Sequence, residues 1–353
     1  MAVVRYCGDF KDTYEKDIEL FQTPFLKISM VILLIILFGS PLLFSNYLIS
    51  HMNYIGIMII SAMGLNLLTG YSGQISIGHG AFMGVGAYTT AILTTKLGMP
   101  FWVALPASGL STAIVGLIFG IPAIRLKGIY LIISTMAAQV IIEFIVILWG
   151  GVTGGTRGIN VGVPMIGSYS LGTEKKIFYL IFSLVILSTL FASNLIRSKP
   201  GRAFQAIRDR DIAAELMGIN ISKYKLLAFL ISSFYAGIGG SLWALYTGVI
   251  NHEIWNLMLS VEYLTIIIVG GMGSILGTIF GSAFMYILPE ALHEISMKVI
   301  SPYFPKILEV FTIIKTGIFG LIIIVCILYE PNGLVAIWEK IKNYFKVWPF
   351  AYR

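Results

Sequence analysis

Charged residues are scarce in this sequence, and that scarcity excludes an ordinary soluble protein. Asp, Glu, Lys and Arg make up 12% of the 353 residues, whereas soluble globular chains carry about 25%. Hydrophobic residues make up 57%, and apolar runs of membrane-spanning length recur from residue 28 to residue 329. The composition therefore predicts an all-α, polytopic integral membrane protein embedded in a lipid bilayer.

Cysteine and histidine are also rare, which argues against a disulfide framework and a metal centre. The two cysteines, Cys7 and Cys326, lie far apart, and no two of the four histidines are spaced i, i+4. An enzyme embedded in the membrane would need several titratable residues on neighbouring helices, and the sequence does not supply them. We therefore expect no metal, no cofactor and no catalytic residue.

A missing motif argues against ATP hydrolysis, and the membrane-protein composition argues against nucleic-acid binding. A phosphate-binding P-loop ends in Gly-Lys followed by Ser or Thr, and the dipeptide Gly-Lys occurs nowhere in the chain. We expect no ATP hydrolysis by that route. The net charge of +7 would suit nucleic acid, but basic residues in a membrane protein collect in cytoplasmic loops, so no nucleic-acid partner is expected.

The apolar runs predict a bundle of about ten transmembrane helices, each long enough to cross about 30 Å of hydrocarbon. The eighth and ninth runs are short and are joined through Gly270, Gly271 and Gly273, so a pair of half-helices or a re-entrant pair is the alternative to two full crossings. The predicted helices lie near 28–45, 48–69, 75–95, 101–124, 129–150, 177–196, 226–248, 259–271, 274–289 and 311–329.

The distribution of Lys and Arg predicts the orientation of the chain. These residues gather in the connection 197–225, which the positive-inside rule places in the cytoplasm. With an even number of crossings, both termini are then cytoplasmic and residues 151–176 face outward. The first 27 residues carry five acidic side chains, unlike a signal peptide, and are expected to be retained. The predicted division is a cytosolic segment 1–27, a transmembrane domain 28–329 and a cytosolic tail 330–353.

Glycine is concentrated between residues 70 and 86, which makes one straight helix unfavourable there. Interrupted helices in transporters often line the substrate path. The polar residues near this segment and on the fifth predicted helix are therefore candidates for that path. They are Asn66, Gln74, Ser76, His79, Gln139 and Glu143. Hydrogen bonding between helices, worth about 0.6 kcal/mol per contact, is the alternative role that stays open.

The cytoplasmic connection contains a second distinctive segment. Residues 201–220 follow Pro200 and contain Gly218, a helix stop, and they predict a short amphipathic helix outside the bilayer. One stripe of this helix contains Phe204, Ile207, Asp211, Ala214 and Gly218, with Ala203, Ala206, Ala213 and Met217 beside it, and it forms a partly apolar face of small residues. The helix either lies among lipid headgroups or docks into a protein groove, and its acidic residues favour the groove.

The block from Gly64 to Phe82, GLNLLTGYSGQISIGHGAF, resembles the signature of the permease subunits of branched-chain amino acid ABC importers, the LivM type. Further blocks resemble that family in the same order and together cover roughly residues 60–290. They are RLKGIYL at 125–131, TGGTRG at 153–158, the stretch from GRA at 201–203 to Ile219 and Asn220, YKLLAF at 224–229, and the stretch from GGMGS at 270–274 to Gly277. PNGL at 331–334 also fits.

The resemblance implies a permease subunit that forms the translocation path for hydrophobic, branched-chain amino acids in a bacterial or archaeal plasma membrane. Its implied partners are a second, similar permease subunit, two cytosolic ATP-binding subunits and an external substrate-binding protein. The cytoplasmic helix would be the coupling helix that rests on an ATP-binding subunit. Its implied coupling residues are Arg202, Phe204, Ile207, Asp211, Ala213, Ala214, Glu215 and Gly218. Ile212 departs from the Glu that many of those loops carry.

Two alternatives to this function remain open. Sister permeases for urea or short amides share the same sequence blocks, so the substrate is not fixed by them. A secondary transporter driven by an ion gradient would also use broken helices. That function would leave the cytoplasmic helix without a role, and it predicts a chain that transports without partners.

Overall fold

Helices make up most of the chain in the computed structural model, which describes residues 24–166, 169–295, 317–318, 320–326, 328–330 and 332–347. In chain order the helices are α1 Pro24–Leu43, α2 Asn46–Leu65, α3 His79–Thr95, α4 Phe101–Ala123, α5 Ile129–Leu148, α6 Glu174–Arg197, α7 Lys199–Asp209, α8 Asp211–Leu216, α9 Ile221–Thr247, α10 Leu257–Gly270, α11 Ile275–Ile295 and α12 Leu334–Val347. A π-helix, Asn66–Tyr71, continues α2, and short turns lie at Gly150–Thr153, Gly155–Arg157 and His252–Trp255.

Two small antiparallel strand pairs lie in the connections between the helices. Strand β1, Ile159–Asn160, pairs with β4, Val249–Ile250, and this pairing fixes the connection after α5 to the end of α9. Strand β2, Met165–Ile166, pairs with β3, Tyr169–Ser170, to form a local hairpin.

The helices agree with the predicted apolar runs, but the number of membrane crossings stays a prediction. Among the described residues, six helices are long and apolar enough to cross a bilayer: α2 with its π-helix, α4, α5, α6, α9 and α11. Shorter apolar helices lie at Lys27–Leu43 and at Leu257–Gly270. Of the predicted run 311–329, residues 317–318, 320–326 and 328–329 are described and are helical, whereas most of the segment 1–27 lies outside the described residues.

Helix α9 forms the centre of the bundle and packs against α2, α3 and α4. Its small residues allow these contacts, because an added Cβ at Gly240 would overlap the carbonyl group of Met83 on α3. An added Cβ at Gly86 on α3 would likewise overlap the backbone of Gly237. Such small residues let two helix backbones approach closely and increase their dispersion contacts.

The two glycine-rich segments break the helices that they were predicted to interrupt. Residues 72–78 are not helical, so the predicted helix 75–95 begins at His79, and Gly73 has φ +70°. Between α10 and α11 the chain reverses through Gly271 and Gly273, whose φ angles are +119° and +76°. Only glycine adopts such angles easily, so these positions fix both turns.

The prediction of a single helix over 201–220 is wrong. The segment forms α7 and α8, which are separated at Arg210, where φ is −156° and ψ is 99°. Extended backbone at this one residue reorients the chain by breaking the helical repeat. Gly218, with φ +84°, follows the end of α8 as the sequence predicts.

Candidate functional site

Asn66 joins the π-helix to the reversal between α10 and α11. Its side chain is fully buried, and Nδ2 donates to the carbonyl of Ser274 at 2.8 Å and to the hydroxyl of Thr278 at 2.7 Å. Its Oδ1 accepts from the backbone N–H of Gly273 at 2.9 Å. Since an unpaired buried polar group costs about 1–3 kcal/mol, these bonds fix the two broken helices to each other.

The side chains of Gln74 and Ser76 stabilise the non-helical segment that follows. Gln74 Nε2 donates to Ser72 Oγ at 2.8 Å and to the carbonyl of Lys225 at 3.4 Å. Ser76 Oγ accepts from the N–H of Gly78 at 3.4 Å. Both side chains are buried, and their bonds shape the entry into α3.

Side chains from two other helices cap the N-terminus of α3. Gly80 N–H donates to Ser260 Oγ at 2.8 Å, and Ala81 N–H donates to Gln139 Oε1 at 2.8 Å. Ser260 Oγ also donates to Gln139 Oε1 at 3.1 Å, and Gln139 Nε2 donates to the carbonyl of Trp255 at 2.5 Å. The protein itself therefore occupies these backbone donors, which a helix N-terminus otherwise offers to anions.

His79, the first residue of α3, is buried between helices. Its Nε2 lies 2.9 Å from the carbonyl oxygen of Ser61, and a carbonyl only accepts, so Nε2–H is the donor. The ring also lies against Tyr263, with 5.5 Å between ring centroids. This contact fixes the start of α3 against α2 and α10.

Glu143 has surroundings that differ from those of the other predicted path residues. Its partly buried side chain lines a small pocket between α3, α5 and the turn His252–Trp255. Tyr88, His252 and Trp255 line the same pocket. The structure thus brings Asn66, Gln74, His79 and Gln139 into contacts between segments, whereas Ser76 makes a local contact and Glu143 lies at an opening. Whether the substrate passes these residues stays a prediction.

The predicted coupling stripe faces the chain's own core. Phe204 is fully buried, and its ring meets the ring of Tyr224 edge to face at 6.4 Å between centroids. Ile207 and Ala214 are also buried. The periodicity correctly groups Phe204 and Ile207 on one face of α7, but the rest of the chain covers that face, and Ala214 lies on the separate helix α8.

The remaining predicted coupling residues lie at the surface of this segment. Arg202, Ala213, Glu215 and Gly218 are exposed. Asp211 is partly exposed and pairs with Lys127 from the connection between α4 and α5. The hydrogen bond from Lys127 lowers the pKa of Asp211, so this carboxylate stays ionised at neutral pH and links α8 to that connection.

Three apolar side chains on and after α8 project away from the bundle. Ile212, Leu216 and Met217 are 69%, 83% and 84% exposed, and together they form what we call the apolar tip. Sequence reasoning grouped Met217 with the small-residue stripe and treated Ile212 only as a departure from the family pattern. The exposure of the tip depends on the break at Arg210, which has no signature in the sequence.

Arg208 is a contact residue that sequence reasoning missed. Its Nη1 donates to the carbonyl of Gly70, the fifth residue of the π-helix, at 2.8 Å. The arginine side chain packs on Gly73, and its guanidinium group lies beside Gly273. α7 is thereby attached directly to both broken helices. The two partners are 138 residues apart, and no local pattern pairs them.

Comparison with known proteins gives a match over most of the chain. The family described as "Branched-chain amino acid transport system / permease component" matches residues 47–327. No solved structure matches the chain.

Individual relatives include two kinds of permease protein. The "High-affinity branched-chain amino acid transport system permease protein LivM" of Salmonella typhimurium is 32% identical over 292 residues, which is 76% of this chain and 69% of the relative. The protein of the same name from Escherichia coli K12 is 29% identical over 344 residues, 90% of this chain and 77% of the relative. The LivH permease protein of Salmonella typhimurium is 25% identical over 284 residues, which is 73% of this chain and 90% of the relative.

Proposed function

This chain belongs to the branched-chain amino acid transport permease family, and from that membership we propose that it is the membrane-spanning permease subunit of an ATP-binding cassette importer. It is a multi-pass membrane protein, as its apolar helices and its relatives indicate. The observation that carries the proposal is the α7–α8 segment. That segment is attached to the broken helices by Arg208 and exposes the apolar tip. A partner that binds the tip could therefore transmit its movement to the broken helices.

The proposed substrates are branched-chain amino acids delivered by an external binding protein. The names of the relatives support this substrate class. A bundle with few charged groups also suits a zwitterion with an apolar side chain, because a deep charged site would retain it. Urea and short amides are the alternative substrates within the same importer class.

The proposed partners are a second permease and two ATP-binding subunits. Relatives named LivM and relatives named LivH both match this chain, which supports a pair of similar permeases. The chain contains no Gly-Lys dipeptide and so no P-loop. The energy for transport is therefore proposed to come from ATP-binding subunits that contact the apolar tip.

The test of this function is reconstitution of the chain into liposomes with and without its partners. We expect uptake of radiolabelled leucine only when the second permease, the ATP-binding subunits, the binding protein and ATP are all present. Uptake should exceed that of labelled urea, and ionophores that collapse ion gradients should leave it unchanged. Ion-driven uptake by this chain alone would instead support a secondary transporter.

The proposed orientation places the α6–α9 connection in the cytosol and the α5–α6 connection outside. Val163 is an exposed residue of the α5–α6 connection, and Ser222 is an exposed residue of the first turn of α9, directly after the α6–α9 connection. In a variant without Cys7 and Cys326, the single substitution Val163→Cys should react with a membrane-impermeant maleimide in intact cells. Ser222→Cys should react only after the cells are opened. Reaction of both from the same side would overturn the predicted crossings.

A further inference from the structure

A cavity lies at the end of the bundle where α4 ends and where α5 and α9 begin. Its walls come from the non-helical segment 72–74, the connection 126–128, the α7–α8 junction and the beginnings of α5 and α9. The cavity measures about 250 Å³, whereas a cavity needs only about 10–15 Å³ to hold one water molecule. It is therefore large enough for a small polyatomic ion together with bound water.

Six charged side chains line this cavity, four of them basic and two acidic. Both acidic side chains are paired, whereas two of the basic ones, Arg210 and Lys225, form no ion pair among the described residues. The cavity therefore retains two uncompensated positive charges. The existing pairs are Lys127 with Asp211 and Arg208 with Asp209.

Lys225 is the more informative of these two residues because its side chain is enclosed. It is the fifth residue of α9, and it is only 7% exposed. The pKa of Asp211 is lowered first by the hydrogen bond from Lys127 and further by the charge of Lys225. The ammonium group of Lys225 thus lies near the α8 side of the cavity without pairing with that carboxylate. A buried ammonium group is costly unless it is paired and hydrogen-bonded, so this one needs a partner.

The N-terminus of α5 adds backbone donors to the same cavity. Gly128, its N-cap residue, and Leu131 in its first turn both line the cavity. No side chain caps this helix, in contrast to α3, whose first N–H groups donate to Gln139 and Ser260. The free N–H groups and the dipole of a 20-residue helix favour an anion at this point.

These groups restrict the ligand to an anion with several acceptor atoms. Lysine, arginine and backbone N–H groups only donate hydrogen bonds, so the ligand must accept them and carry negative charge. The donors belong to three separate segments, which suits the oxygens of a tetrahedral group, and guanidinium groups match the geometry of phosphate. A cation would be repelled by Arg210 and Lys225.

We infer that this cavity binds a phosphate group, with Lys225 and Arg210 as its charged ligands and the N-terminus of α5 as a further donor. The phosphate is carried by the head group of an anionic lipid or is free in solution. Ile129 and Tyr130, which directly follow Gly128, are 72% and 71% exposed, and they offer apolar surface to the acyl chains of a lipid. Basic pockets between membrane helices suit such head groups. A bound phosphate links the start of α5 to the α7–α8 junction and to α9.

The test is the melting temperature of the full-length chain, purified in an uncharged detergent and titrated with two sources of phosphate. Sodium phosphate, compared with sodium chloride at equal ionic strength, tests the free anion. Phosphatidylglycerol in the detergent micelles, compared with zwitterionic phosphatidylcholine, tests the lipid. A ligand that binds only the folded state stabilises it, so we expect at least one source to raise the melting temperature by about 2 °C or more beyond its control. The chain is tested alone, so the result does not depend on the proposed importer.

Variants of three basic residues test where the phosphate binds. Lys225→Met removes the charge but keeps an unbranched side chain, and it should raise the phosphate concentration needed for half the maximal shift about tenfold or more, because charge-assisted hydrogen bonds are strong. Arg210→Ala alters an exposed residue, so the fold is retained, and it should also weaken binding. Lys223→Met, an exposed position on α9 outside the cavity, is the matched control and should bind like the wild-type chain.

The pattern of shifts identifies the source of the phosphate. A shift with sodium phosphate that Lys225→Met diminishes shows that the free anion is sufficient, and such a shift with phosphatidylglycerol alone shows that a lipid head group is required; both support the site. The inference is overturned if neither source exceeds its control, if Lys225→Met keeps the wild-type shift, or if Lys223→Met weakens binding equally.

A partner protein is the competing occupant of this cavity. If the chain alone shows no shift and Lys225→Met instead prevents co-purification of the ATP-binding subunits, an acidic side chain of a partner occupies the cavity. That result would also overturn the inference.

Discussion

Replacing Leu216 and Met217 together by aspartate should abolish co-purification of the ATP-binding subunits and reduce ATP-driven uptake to background. Both side chains are more than four-fifths exposed, so the chain itself loses little packing when they change. In an interface they would be desolvated, and two buried, unpaired carboxylates cost several kcal/mol each. The amount of permease in the membrane should stay normal, because α8 contributes nothing to the spanning helices.

The control for this variant is Leu97→Asp, which alters a leucine that is 61% exposed in the connection between α3 and α4. It should leave complex formation intact. Ala214→Arg would be a poorer test of docking, since Ala214 is 4% exposed and an arginine there would disrupt the chain's own packing. A double aspartate variant that still co-purifies with its partners would show that the tip instead rests on lipid.

Replacing Arg208 by alanine should lower leucine uptake about tenfold or more while the complex stays assembled. The guanidinium group joins α7 to the π-helix through the carbonyl of Gly70, and a hydrogen bond to a charged group contributes about 1.5–3 kcal/mol. Without this bond, movement of α7 reaches the broken helices only through apolar packing. ATP hydrolysis should therefore continue with fewer substrate molecules transported per ATP.

The informative measurement is the ratio of leucine transported to ATP hydrolysed, taken together with the melting temperature of the complex. Arg208→Lys keeps the charge without the planar fork, so we expect an intermediate ratio. Lys199→Ala, which removes an exposed cation from the same helix, is the matched control and should transport normally. A lower melting temperature with an unchanged ratio would mean that Arg208 only stabilises the fold.

The features that depend on a local pattern or on a family signature could be predicted from the sequence. The family assignment is confirmed, and the glycines at 73, 271 and 273 mark real breaks because their positive φ angles are difficult for other residues. Phe204 and Ile207 share the buried face of α7, whereas Ala214 is buried on the separate helix α8, because the break at Arg210 was missed.

The rest could not be predicted because it depends on contacts between distant segments. Periodicity identifies residues that share a face, but it does not identify what covers that face. For this reason Phe204 was predicted to couple to a partner, whereas it packs on Tyr224. The bond from Arg208 to Gly70 and the convergence of Tyr88, Glu143 and Trp255 are likewise set by how whole helices cross.

The central position of α9 has a consequence for biosynthesis. Helices α2, α3 and α4 leave the ribosome before α9, yet α9 is the helix against which all three pack. The small-residue surfaces of the early helices therefore lack their α9 partner until that helix is inserted. A nascent chain that ends before residue 221 lacks the helix against which these three helices pack.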